Sequence, residues 1–168
     1  VVKLSPLLDF DVVETRPGRF RWPGRFNLET VMRPWTDSLV ATHLLFILNA
    51  VLWAVVGAPD CAVILGLSTV ASCAYHRHGE APGFWAVSDR ILAVTALGVT
   101  VGRVLPCATG IDIVNGLVLL ASALLVKLYA QRPGEYRVWH TVWHGMVFVG
   151  QIYLAAVYNA AHTFSPAG

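Results

Sequence analysis

The sequence predicts an all-α fold, a polytopic transmembrane helical bundle of about five spans, and three observations carry that expectation. Hydrophobic residues make up 56% of the chain and charged residues 13%, about half the ~25% charged that is usual in soluble domains. The apolar residues are gathered into five segments, with Gly and Pro clustered between them. Eleven of the twelve Lys and Arg residues fall on one side of the bundle that five spans would make. A soluble fold of 168 residues with a mean hydropathy of +0.61 has too little interior to hide its apolar surface, whereas a bilayer accepts it.

Residues 1–36 differ from the rest of the chain and read as a basic extramembrane arm. They carry Lys3, Arg16, Arg19, Arg21, Arg25 and Arg33, partly offset by Asp9, Asp11, Glu14 and Glu29, and Pro6, Pro17, Pro23 and Pro34 prevent a long helix. Trp22, Phe26 and Trp35 suit a segment dipping into the membrane interface, and residues 28–33 could form a short amphipathic turn. A tail without membrane contact is the alternative. The chain begins Val1-Val2, so targeting information that would precede it is expected to be missing.

Residues 37–162 form the transmembrane helical domain, and 163–168 a short tail. The apolar segments are residues 39–56, 61–75, 88–105, 111–129 and 139–160. A hydrocarbon core of about 30 Å needs about 20 helical residues. The second segment is therefore short, and must thin the bilayer or be shielded by neighbouring helices. Helices are expected because lipid offers no partner to an unpaired backbone group. The breakers are Gly57 with Pro59, Gly79 to Gly83 around Pro82, Pro106, and Pro133 with Gly134.

Five spans put the arm and the 76–88 and 129–138 loops on one side. Arg77, Arg90, Lys127, Arg132 and Arg137 join the arm's cations there, and Arg103 alone lies toward the other side. The positive-inside bias then turns the N-terminus to the cytoplasm, or to the matrix or stroma of an organelle, with the mitochondrial inner membrane a candidate. The net charge of +2 is too small to argue for nucleic acid. Cys61, Cys73 and Cys107 are too few and too widely spaced for a disulfide framework or zinc ribbon and read as buried thiols. Cys61 and Cys107 fall at the same face, where an oxidising compartment would permit a pair.

One polar group stands out in so apolar a chain. Ser72 and His76 lie four apart near the end of the second helix, Asp89 opens the third, and His140 and His144 lie four apart at the start of the fifth. Spacing of four puts each pair on one helical face, and the topology brings all five to the basic side at similar depth. Two imidazoles at i, i+4 and a third from another helix can hold Zn²⁺ with one tetrahedral position open to water. Such water has a pKa near about 7, Asp89 could exchange its proton with a leaving group, and Ser72 could bond the water or a developing oxyanion. His78 and Thr141 are candidates to orient the ligands. The alternative is structural: Trp139, Trp143 and the histidines as interfacial anchors, Ser72 with Ser68 and Ala71 as small packing residues, and Asp89 paired with Arg77 or Arg90. His43, inside the first span, and His162, at the opposite end, read as structural.

Ser72-x-x-x-His76, a following Asp89 and a last-helix His140-x-x-x-His144 resemble the CREST superfamily of membrane hydrolases, which includes alkaline ceramidases, progestin/adiponectin receptors, Per1-like and myomaker-like proteins. The resemblance spans about residues 68–92 and 136–150. It implies zinc on His76, His140 and His144, Asp89 and Ser72 as catalytic partners, and an amide- or ester-linked membrane lipid as substrate. Members of that superfamily generally have seven helices, two more than here; losing a pair preserves parity but removes wall around a lipid chain. The alternative function is a non-catalytic accessory subunit of a larger membrane complex, in an organelle for example, docked to other subunits through the arm and retaining the metal site.

Overall fold

The computed structural model describes residues 32–130 and 135–163. The expected arm contacts of Trp22 and Phe26, residues 28–31 of the turn expected at 28–33, the loop residues Arg132, Pro133 and Gly134, and the tail from 164 lie outside the described residues. Within them the chain is helical throughout: α1 (Ser38–Ala41), α2 (Leu44–Val55), α3 (Pro59–Arg77), α4 (Phe84–Val104), a 3₁₀ turn at Leu105–Cys107, α5 (Gly110–Ala130) and α6 (Tyr136–Thr163). Four stretches are long and apolar enough to cross a membrane: Ser38–Val55, Phe84–Cys107, Gly110–Ala130 and Tyr136–Thr163. The expected polytopic helical bundle is present.

The helix boundaries follow from local chemistry. Asp37 caps α1 by accepting the Leu39 amide at 3.0 Å. Gly57 (φ 83°) ends α2, and Pro59 starts α3 at a position where its missing N–H costs nothing. Pro106 tightens the end of α4 into the 3₁₀ turn. Thr109 and Asp112 form a capping box on α5: the Asp112 carboxylate accepts the Thr109 amide at 2.9 Å, and the Thr109 hydroxyl accepts the Asp112 amide at 3.3 Å.

Helix α3 runs from Pro59 to Arg77, four residues longer than the apolar segment that marks it in the sequence. Its 19 residues span roughly 28 Å at 1.5 Å per residue. Asp60, Ser68, Thr69 and Ser72 lower its hydropathy, and it is shielded by packing between α2 and α4. Helix α6 closes the bundle against α2 and α4, while α5 packs chiefly against α6. The core centres on Trp53, wholly buried among Cys61, Leu65, Ala96, Val104, Ala155 and Tyr158. Alanines at 71, 86, 96, 123 and 155 sit at buried positions and let the helices approach closely. The three cysteines are free thiols.

The Trp53 indole N–H donates to Gln151 Oε1 at 3.1 Å, and Gln151 Nε2 donates to the Thr100 hydroxyl at 3.4 Å. This chain joins α2, α6 and α4 through buried side chains. Trp53→Ala should lower stability by about 3–5 kcal/mol, as large-to-small core changes do. Leu67→Ala, at an exposed position of α3, should change it little. Unfolding in detergent, followed by far-ultraviolet circular dichroism, compares the two.

Candidate metal centre

The first transmembrane stretch is broken at Thr42 and His43. The His43 amide bonds Val40 O at 3.2 Å, three residues back, so the α-helical acceptor for that amide, Leu39 O, is released from its backbone partner. His43 Nδ1 takes that carbonyl at 2.5 Å, and the Thr42 hydroxyl donates to Ser38 O at 2.9 Å. The break thus carries its own side-chain repair, and it turns both Thr42 and His43 toward the interior.

There His43 meets the expected histidines. One ligand nitrogen from each of His43, His76 and His144 lies within 4.8 Å of the others, and all three side chains are at most 2% exposed. Ring centroids are 4.8 Å apart for His43–His76, 4.3 Å for His43–His144 and 5.4 Å for His76–His144. His140 adjoins the same group, 5.0 Å from His76 and 4.6 Å from His144. Imidazoles bound tetrahedrally at about 2.0–2.1 Å have centroids about 5 Å apart, and these five separations bracket that value.

The hydrogen bonds assign the tautomers. Leu39 O can only accept, so His43 Nδ1 carries the hydrogen. The Thr42 hydroxyl spends its own hydrogen on Ser38 O and therefore accepts from His144 Nδ1 at 3.0 Å. Glu80 Oε1 accepts from His76 Nδ1 at 3.1 Å. The Nδ1 atoms of all three rings are thereby engaged, which leaves Nε2 as the position open to ligation; on His43 that atom meets the Ser72 hydroxyl at 2.7 Å. His140 Nε2 is buried and meets no hydrogen-bond partner among the described residues. A donor set of imidazoles with an orphaned nitrogen beside it fits a borderline divalent ion such as zinc.

Glu80 anchors the outer side of the centre. It follows α3 in left-handed conformation (φ 63°), unusual for a residue with a side chain, and its amide closes the helix end on Tyr75 O at 3.0 Å. Its carboxylate accepts from Arg33 at 2.6 Å, from the Tyr136 hydroxyl at 2.6 Å and from His76. Burial would raise its pKa, but the hydrogen bonds from His76, Tyr136 and Arg33 outweigh burial and hold it down at about 2. The described end of the arm crosses here: the Arg33 amide bonds Arg77 O at 2.9 Å, the Arg77 guanidinium lies 4.2 Å from the Trp35 ring centroid, and Asp37 pairs with Arg137 at 3.1 Å.

The residues expected from the sequence fall into two groups. His76, His140 and His144 come together, and Ser72 joins them by donating to His43 Nε2 at 2.7 Å. Asp89 is half-buried on α4, with Tyr75 and Lys127 as electrostatic neighbours, and no hydrogen bond among the described residues links it to a histidine. His78 bonds Ala74 O and stacks near Trp85, and Thr141 bonds Arg137 O, so both point elsewhere. His162 bonds Tyr158 O at the far end, consistent with a structural residue. His43, which reads as structural in the sequence, belongs to the centre. Its spacing gives no pattern, because no second histidine shares its helix; the adjacent Thr42 is the available hint of a local break. Glu80 is hidden in a Gly-rich loop.

Comparison of the chain with protein-family models, with curated proteins and with solved structures returns no match. The reading of the site rests on its geometry.

Because Glu80 orients His76, Glu80→Gln should weaken binding of a divalent metal ion at the cluster about 10–100-fold, the usual effect of losing a ligand-orienting carboxylate. Asp89→Asn should leave that affinity unchanged. Competition with a chromophoric chelator measures both.

Proposed function

We propose that this chain is an integral-membrane, zinc-dependent hydrolase acting on a lipid amide or ester. The observation that carries the reading is the cluster of buried imidazoles within 4.8 Å of one another. In a bilayer protein, such a concentration of polar groups is costly unless it does something. The triad at ligand distance is His43, His76 and His144; His140, 5.0 Å from His76 and 4.6 Å from His144 between ring centroids, is a further ligand candidate beside it. A bound zinc would supply a Lewis acid and lower the pKa of coordinated water to about 7. Glu80 fixes the ring of His76 and is fully engaged by three donors, which suits orientation rather than proton transfer.

Asp89 remains the residue proposed for proton transfer, since it is a carboxylate at the same end of the bundle with none of Glu80's commitments. An apolar groove between α4 and α5, floored by Met146, Gly150 and Leu154 of α6, offers a wall for an acyl chain on the helix that carries His140 and His144. The basic end would face the cytoplasm, matrix or stroma under the positive-inside bias.

The test is elemental analysis of the purified protein, with release of fatty acid measured on amide- and ester-linked lipids. One zinc per chain is expected, together with loss of metal and of hydrolysis in His76→Ala and His144→Ala. Asp89→Asn should retain zinc and lose turnover. Absence of metal after incubation with zinc would overturn the proposal. Retained zinc without turnover on either lipid class would favour a second reading, an accessory subunit. The nearly unburied span of α5, 6% covered within the chain, supports that alternative.

A further inference from the structure

The four histidines outnumber what an open catalytic zinc site uses. Three protein ligands leave a position for water or substrate, whereas four close the site and make it structural. His43 stands at ligand distance from His76 and His144, yet its Nε2 already accepts the Ser72 hydroxyl at 2.7 Å. That nitrogen has one lone pair. Since Nδ1 is held by Leu39 O, the ring has no second nitrogen to offer. Accepting from Ser72 and binding a metal ion are therefore mutually exclusive states of His43.

Resting on the zinc-site reading above, we propose that His43 is a reserve fourth ligand and that Ser72 keeps the site open by occupying its lone pair. With the Ser72–His43 bond made, His76, His140 and His144 hold the ion and the fourth position is exchangeable. With it broken, His43 completes the tetrahedron. Three features of the structure favour such an exchange. His43 sits at a helix break, so a small backbone adjustment moves its ring without disturbing a continuous helix. One of its ring nitrogens already lies within 4.8 Å of one from each of His76 and His144. Thr42, next in sequence, holds Nδ1 of His144, so the break and a ligand move together. Ser72 acts here as a positioning residue, one helical turn before His76 on α3.

The experiment uses the full chain in nanodiscs with Co²⁺ in place of zinc, and reads the visible d–d bands during an azide titration. The wild type should bind Co²⁺ and change its spectrum with azide. S72A should bind Co²⁺ at least as tightly and lose the azide response, and S72T, which restores a hydroxyl, should regain it. The double variant H43A/S72A should also regain the response, which assigns the closure to His43 rather than to a general disturbance of folding. An S72A spectrum that responds to azide like the wild type overturns this inference while leaving the zinc site standing. Failure of the wild type to bind Co²⁺ or zinc overturns the reading beneath it.

Discussion

Inside a bilayer, no water completes a polar group, so each one that leaves the interface must find its partner in protein. That constraint shapes the interior of this bundle more than apolar packing does, because lipid solvates leucine as well as another helix would. The Trp53–Gln151–Thr100 chain ties three helices in the buried interior. Higher up, the broken first span releases Leu39 O and supplies His43 to take it. The histidine cluster is built from the same requirement. Each ring of the His43, His76 and His144 set has its Nδ1 satisfied by a fixed oxygen, and one nitrogen of each lies within 4.8 Å of the others.

The partners come from different elements, so the cluster also registers the bundle. Thr42 holds a ring from α6, Ser72 of α3 holds a ring from the α1–α2 break, and Glu80 in the loop after α3 receives Tyr136 of α6. Shifting α3 along its axis by one turn, roughly 5.4 Å, would break the second and third of these together. Packing of small residues permits the helices to slide; the polar bonds do not. The end of the arm adds a further tie, since Arg33 bonds both the end of α3 and the Glu80 carboxylate.

Much of this is legible in the sequence, and the limits have physical causes. Apolar segment length gives the helices, and Gly57, Pro59 and Pro106 give their ends. The i, i+4 pairs Ser72/His76 and His140/His144 are readable because helical periodicity makes neighbours of residues four apart. The α3 boundaries come out too narrow because its polar residues face other helices rather than lipid, so hydropathy understates its length. His43 escapes detection because a single histidine in an apolar run carries no periodic signal, and its partners Ser72, His76 and His144 lie on other helices. Glu80 owes its position to two successive left-handed residues at a helix end, Gly79 (φ 70°) and Glu80 itself (φ 63°), and only the glycine signals that conformation in the sequence.

The two carboxylates near the centre show why position decides role. Glu80 is held by three donors, is ionised over the whole neutral range, and sits in a strained backbone conformation. A group so constrained orients a neighbour well and exchanges protons poorly, because each of its hydrogen bonds stabilises the charged form. Asp89 has the opposite setting, beside Lys127 and Tyr75 and unattached to the histidines. Lys127 in turn lies 4.1 Å from the centroid of the Trp143 ring on α6, the residue before His144. The charged surface of the basic end therefore reaches the histidine chamber by two separate routes, one through Arg33 and Glu80 to His76, the other through Asp89 and Lys127 toward His144. The first is a closed set of bonds suited to holding a ligand in place. The second is loosely connected, since it runs through a charge pair and a cation–π contact with no hydrogen bond to a histidine among the described residues.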